Sequence, residues 1–210
     1  MLTIIDYRAG NLTSVQLAFA SLDIPARITR DSRDILEADR IVFPGVGTAG
    51  AAMRNIQEQG IAAAVREAVN RGTPFLGICL GAQIVFELLE EDGGVQGLGL
   101  LPGTVRKFQP LDRRDKVPQI GWNAVHWSRP HPLCRNIEQD SEFYFVHSYY
   151  MQPGRPEILL GQTDYAGITF AAAAGQANLA ALQFHPEKSG RIGLQLLRNF
   201  ADWDGQTGSA

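Results

Sequence analysis

Apolar runs of strand length alternate with stretches of helical periodicity through the first half of the chain. Leu2-Thr3-Ile4-Ile5 is bounded by the polar Asp6-Tyr7-Arg8-Ala9-Gly10-Asn11 and predicts a buried strand. Leu12, Val15, Leu17, Ala18, Phe19 and Leu22 mark the apolar face of a following helix, which Pro25 ends. Ala26-Arg27-Ile28-Thr29 predicts a second strand, and residues 40–43 a third after a polar stretch at 31–37. Pro44-Gly45-Val46-Gly47 closes that strand, and residues 51–59 and 61–70 read as helices split at Gly60. Residues 73–78 predict a continuous apolar strand running into Cys79, with a helix expected from about residue 82 to residue 89.

From residue 98 to residue 184 the pattern changes to short β runs, at 104–108, 117–127, 142–150, 158–163, 168–174 and 179–184. The last helix, 190–200, carries Ile192, Leu196, Leu197 and Phe200 on one face. Strands without polar relief, alternating with helices, imply a parallel sheet covered on both sides. The expected architecture is α/β: a mostly parallel central sheet flanked by helices on both faces, with additional antiparallel strands in the second half. No repeat or linker divides the chain, so residues 1–200 are expected to form a single domain. Residues 201–210, polar and rich in Gly and Ser, are expected to form a flexible tail.

Composition narrows the function classes. With 210 residues, 45% hydrophobic and 20% charged, the chain can bury a core without disulfides or a structural metal. Nineteen basic against 22 acidic residues, a net charge of −3 and no basic stripe argue against a nucleic-acid partner. The longest uncharged stretch, 165–184, contains Thr169, Gly175, Gln176, Asn178 and Gln183 and reads as two strands around a turn. No membrane segment or signal peptide is expected. Cys79 and Cys134 lie far apart and read as free thiols of a cytoplasmic protein. No ligands occur at metal spacing, so no metal site is expected.

The candidate chemistry starts at Gly77-Ile78-Cys79-Leu80-Gly81, where an apolar strand meets a helix. This is the nucleophile-elbow arrangement with cysteine in place of serine. Its glycines allow a tight turn, a helix start beside the sulfur favours thiolate, and the Leu80 N–H is placed for an oxyanion. A buried structural cysteine or a phosphate-binding turn would give the same pentapeptide. Downstream, His185 and Glu187 in Phe184-His185-Pro186-Glu187 project to one side of an extended segment, so they can be hydrogen-bonded neighbours. A carboxylate on one imidazole nitrogen leaves the other free to take a thiol proton. Alone, the pair reads better as a surface contact; together with the cysteine elbow it favours catalysis. Pro44-Gly45-Val46-Gly47 ends the third strand at the same carboxyl edge, as an oxyanion loop or an ordinary turn.

The elbow Gly77 to Gln83 and the Phe184-His185-Pro186-Glu187 segment resemble the class I (triad) glutamine amidotransferases. Further segments match those members that serve histidine biosynthesis. They are Asp6 to Leu12, Pro44 to Gly47, Gln119-Ile120-Gly121-Trp122-Asn123, Phe145-Val146-His147-Ser148-Tyr149 and Gln183 to Gly190. The resemblance covers residues 2 to about 200; Arg8 stands where glycine is more usual.

The resemblance implies a flavodoxin-like fold and glutaminase chemistry that uses no cofactor. Cys79 is the implied nucleophile, His185 its base and then acid, and Glu187 the group orienting His185. Leu80, Gly45, Val46 and Gly47 would form the oxyanion hole. Gln83, His147, Ser148 and Tyr149 would hold L-glutamine. Ammonia would pass to a separate cyclase subunit of TIM-barrel fold in a heterodimer, docked near Asn11, Trp122, Asn123, Tyr144 and Lys188. The alternatives are a glutaminase subunit of anthranilate or pyridoxal phosphate synthesis, or a cysteine-elbow peptidase or stress protein.

Overall fold

The computed structural model describes residues 1–8, 12–110, 112 and 114–207. The first half contains β1 (Leu2–Ile5), α1 (Leu12–Ala20), β2 (Ala26–Thr29), α2 (Ser32–Leu36), β3 (Arg40–Gly45), α3 (Ala49–Glu58), α4 (Ile61–Asn70), β4 (Phe75–Cys79) and α5 (Leu80–Gln83). The second half contains β5 (Leu88–Leu89), β6 (Val95–Gln96), β7 (Gly103–Lys107), β8 (Gln119–Trp127), β9 (Ser141–His147), β10 (Tyr149–Pro153), β11 (Leu159–Tyr165), β12 (Ile168–Gln176), β13 (Leu179–Leu182) and the closing helix α6 (Gly190–Asp202).

Strands β2, β1, β3, β4 and β13 lie side by side in that order and all pair in parallel. Beyond β13 the sheet turns antiparallel through β12, and β11 continues from β12 to the β8–β9 pair. The expected parallel core with an antiparallel second half is what the chain forms. The unrelieved apolar strands follow from two separate cores. Ile5, Phe43 and Phe75 face α3 and α4 through Met53, Ile56, Ile61 and Val65. Their chain neighbours Ile4, Val42 and Leu76 face α1 and α6 through Val15, Phe19, Leu196 and Phe200. Successive strand residues point to opposite sides, so a sheet covered twice has no polar position to spare.

The parallel register sets up the site. Gly45 at the end of β3 lies opposite Cys79 at the end of β4, and Leu182 of β13 lies opposite Ile78. The carboxyl ends of three adjacent strands therefore bring the glycine loop, Cys79 and the His185 segment to one edge, the usual position for a ligand site in such sheets.

Several local expectations change. The helix expected at 82–89 is only the single turn Leu80–Gln83. Ile84, Val85 and Phe86 are all fully buried, which no surface helix allows for three consecutive residues. Their carbonyls accept instead from the N–H groups of Leu98, Leu100 and Gly99. The polar stretch after β2 forms α2, capped by Asp31, whose side chain accepts from the Arg33 N–H. The 142–150 run is two strands: β9 pairs with β8, while β10 pairs with β7 and touches β12 at one residue pair. Leu17 is 63% exposed, because it lies two residues, or about 200° around the helix, from the buried Val15 and Phe19. Arg8 has φ +68, the left-handed region that favours glycine.

Residues 201–203, expected to belong to a flexible tail, are packed instead. The last helix continues to Asp202, and Trp203 is buried against Phe200 and His131. The Trp203 indole N–H donates to the Gln206 carbonyl, and the Trp203 carbonyl accepts from Arg40. Truncating a large buried aromatic typically costs about 3–5 kcal/mol. Trp203→Ala should therefore lower stability by about 3 kcal/mol, read as a clear fall in the urea midpoint; an unchanged midpoint would show that the indole does not pack.

Candidate active site

Cys79 has φ +54 and ψ −112, a region that L residues avoid. The flanking glycines make this possible through close approach rather than through their own dihedrals. A Cβ on Gly81 would lie 1.7 Å from the Phe43 carbonyl oxygen, and one on Gly77 would lie 2.7 Å from the Gly81 carbonyl oxygen. The turn lifts the sulfur over the sheet edge, with Sγ 3.9 Å from the Val146 carbonyl oxygen. Strain of this kind costs about 1–3 kcal/mol and persists only where packing enforces it.

His185 follows β13 in extended backbone and is held from two sides by β9. Its N–H donates to the Tyr144 carbonyl at 2.9 Å, and its own carbonyl accepts from Ser189 Oγ at 2.6 Å. Ser189 Oγ in turn accepts from the Tyr144 N–H at 3.0 Å. Pro186 starts a short helical turn that swings Glu187 back beneath the ring. Nδ1 of His185 meets Glu187 Oε1 at 2.7 Å, with both side chains buried. Nε2 is buried on the side away from Glu187, and His185 lines the same pocket as Cys79. Burial disfavours charge on this imidazole, but Cys79 and the Glu187 carboxylate outweigh it and push the pKa up to about 9.

The glycine loop completes the edge. Gly45 is buried beside Cys79, whereas Val46 and Gly47 are exposed and line the pocket together with Leu80. No side chain fits at Gly45: its Cβ would lie 2.1 Å from the buried Tyr7 hydroxyl. Burial and then the proximity of Cys79 push the Tyr7 phenol pKa up, so it stays neutral. Thr48 caps α3, and the carboxylates of Glu91 and Asp92 accept from the N–H groups of Ala49 and Gly50.

A cavity of about 320 Å³ lies among Val46, Cys79, Gln83, Glu91, Tyr149 and His185. His147 and Ser148 also line it. The His147 ring nitrogens are already engaged, Nδ1 with the Tyr149 carbonyl at 2.7 Å and Nε2 with the Gln119 carboxamide at 3.0 Å. Burial holds its pKa down to about 4, so the ring is a neutral strut in the wall. Glu91 was not among the residues singled out from the sequence, where it sits in a charged run, Glu90-Glu91-Asp92, that resembles a solvated surface. Burial pushes its carboxyl pKa up, an effect only partly offset by the Ala49 N–H.

The residues expected to face a partner separate. Trp122, 54% exposed, meets Tyr144 edge-on at 6.1 Å, and Lys188 Nζ lies 5.9 Å from the centre of the Tyr144 ring. Together with the exposed Ile120 they form an amphipathic patch next to the triad candidates. Asn123, one residue further along β8, points to the other side, and its amide donates to the Asp164 carbonyl. Asn11 lies outside the described residues.

A family model for class-I glutamine amidotransferases matches residues 3–203. The imidazole glycerol phosphate synthase subunit HisH of Moorella thermoacetica is 47% identical over 209 residues, covering 100% of this chain and 98% of that protein. The HisH of Chlorobaculum tepidum is 44% identical over 203 residues, covering 97% and 100%. Among solved structures, PurLQS from Thermotoga maritima has a TM-score of 0.74 at 18% identity, covering 96% of this chain and 97% of that one, a likeness of fold alone. The chain belongs to the class I glutamine amidotransferases, in the family of the imidazole glycerol phosphate synthase subunits HisH.

Proposed function

We propose that this chain is the glutaminase subunit of an imidazole glycerol phosphate synthase. It hydrolyses glutamine to glutamate and passes the ammonia to a cyclase subunit in histidine biosynthesis. The observation that carries the mechanism is the buried 2.7 Å contact between His185 and Glu187, next to a strained cysteine that faces the same cavity. A raised imidazole pKa beside a thiol suits His185 to take the thiol proton and hold it for the leaving group.

The steps follow from that pair. The Cys79 thiolate attacks the side-chain amide carbon of glutamine, and the carbonyl π electrons move onto oxygen. The oxyanion lies between the Leu80 N–H and the Gly45–Gly47 loop, whose fixed N–H dipoles favour it. The His185 imidazolium gives its Nε2 proton to the departing nitrogen as the C–N bond breaks, leaving ammonia and a thioester on Cys79. Neutral His185 then takes a proton from water as the water oxygen attacks the thioester, and collapse expels thiolate and glutamate. Glu187 keeps the Nδ1 proton in place, so Nε2 is the atom that exchanges protons in both halves.

Gln83, Ser148 and Tyr149 line the wall that holds glutamine, and His147 stiffens it. The Glu91 carboxylate is the anionic group in the pocket, and it suits the α-ammonium of glutamine. The patch of Ile120, Trp122, Tyr144 and Lys188 is the docking face for the cyclase, read as a TIM barrel. The exposed Ile120 and Trp122 have the composition of an interface core, with Lys188 as a polar rim.

The following outcomes test this reading. Cys79→Ala should abolish glutamate release, whereas the wild-type chain should be strongly stimulated by the cyclase subunit and its nucleotide ligand. Absence of stimulation, with Cys79 still labelled by a glutamine-like electrophile, would rule out this partner. Glu91→Gln should raise KM for glutamine about tenfold with little change in kcat, because a charge-assisted hydrogen bond is lost from ground and transition states alike. The His185 ring, followed by NMR, should titrate near pH 9 and shift downward in Cys79→Ala. Because the folded pKa lies above that of free histidine, about 6.5, the associated stability is fully present below that pH. It is lost as pH rises through about 9.

A further inference from the structure

Gln183 takes no part in the chemistry above, yet it is fully buried directly after β13, next to the strand that ends in Cys79. Its Oε1 accepts from Gln83 Nε2 at 3.0 Å, and the same Nε2 donates to the Tyr149 carbonyl at 2.8 Å. A backbone carbonyl can only accept, so the Gln83 atom facing it must be the amide nitrogen. Both hydrogens of that nitrogen are then engaged, one by Tyr149 and one by Gln183. The remaining polar atom of Gln83, Oε1, can only accept, and Gln83 lines the cavity beside Cys79 and Glu91.

The other end of Gln183 points to the same conclusion. Its Nε2 is buried without a hydrogen-bond partner. A buried amide with an unpaired donor is no better for stability than an apolar side chain of similar shape. What the amide supplies is its oxygen, and that oxygen is directed at Gln83.

We propose that Gln183 is a positioning residue for substrate recognition. By engaging the second hydrogen of the Gln83 amide, it locks Gln83 as an acceptor, which takes a hydrogen bond from the α-ammonium of glutamine alongside Glu91. Without it, the Gln83 amide is held by Tyr149 alone and turns its spare N–H toward the cavity, where it opposes a cationic group. This inference rests on the glutaminase reading.

The test compares glutamate release from glutamine with hydrolysis of glutaramate, which has the same carboxamide and no α-amino group. Both are measured on the complex with the cyclase subunit, for the wild type, Gln183→Met, Gln183→Glu, Gln83→Met and the double variant Gln83→Met/Gln183→Met. Gln183→Met should lower kcat/KM for glutamine about tenfold, mainly through KM, with glutaramate hardly affected and the melting temperature maintained. Gln183→Glu, which keeps an oxygen opposite Gln83, should recover most of the loss. The double variant should be no worse than Gln83→Met, because the two residues act as one unit. Equal losses on both substrates, additive losses in the double variant, an unchanged KM, or a Gln183→Met chain that fails to fold would each overturn the assignment. A wild-type complex that releases glutamate normally while Gln183→Met behaves identically removes Gln183 alone. A wild-type complex that releases none overturns the glutaminase reading, and this inference with it.

Discussion

A single steric constraint underlies the site: the start of α5 runs so close to β3 that no side chain fits at Gly81 beneath the Phe43 carbonyl. That approach forces the chain to reverse within one residue after β4, and the residue at the reversal is Cys79. The sulfur is therefore held by a packed sheet rather than by a mobile loop. The same approach brings the Gly45 strand end against the helix start, so Cys79 and the end of β3 are fixed by one contact. Removing water and rotational freedom in advance is what lets fixed dipoles act on a developing charge.

Electrostatics builds on that frame. A buried imidazole ordinarily resists protonation, as His147 does in the adjacent wall, yet His185 a few residues from the sheet edge behaves in the opposite sense. The difference lies in the partners. His147 faces a backbone carbonyl and a carboxamide, whereas His185 lies between a carboxylate and a thiol. Burial is similar, and the charges of the neighbours decide the outcome.

Much of this was legible in the sequence, in proportion to how local the physics is. β1 and β4 follow from runs of mostly apolar residues, and the elbow and the His-Pro-Glu segment are visible because their chemistry is contained within a few neighbouring positions. The helix expected after residue 82 fails because three successive buried residues carry no information about periodicity, and their carbonyls bond to a loop some fourteen residues on, as Leu98 does to Ile84. Leu17 reads as core by type and lies on the wrong side of its helix. Trp203 was hidden by the polar composition around it. Glu91 has no distinguishing signal in its charged run, and Gln183 stands in a segment that carries the resemblance but its contact is with a residue a hundred positions away.

Tyr144 belongs to two neighbourhoods at once. Its ring stands between Trp122 and Lys188 on the exposed patch, while its peptide N–H and carbonyl hold Ser189 and His185. Ring and peptide share one α-carbon, so the exposed patch and the backbone of His185 are joined through a single residue. Whatever covers the Tyr144 ring therefore lies one residue from the hydrogen bond that holds His185.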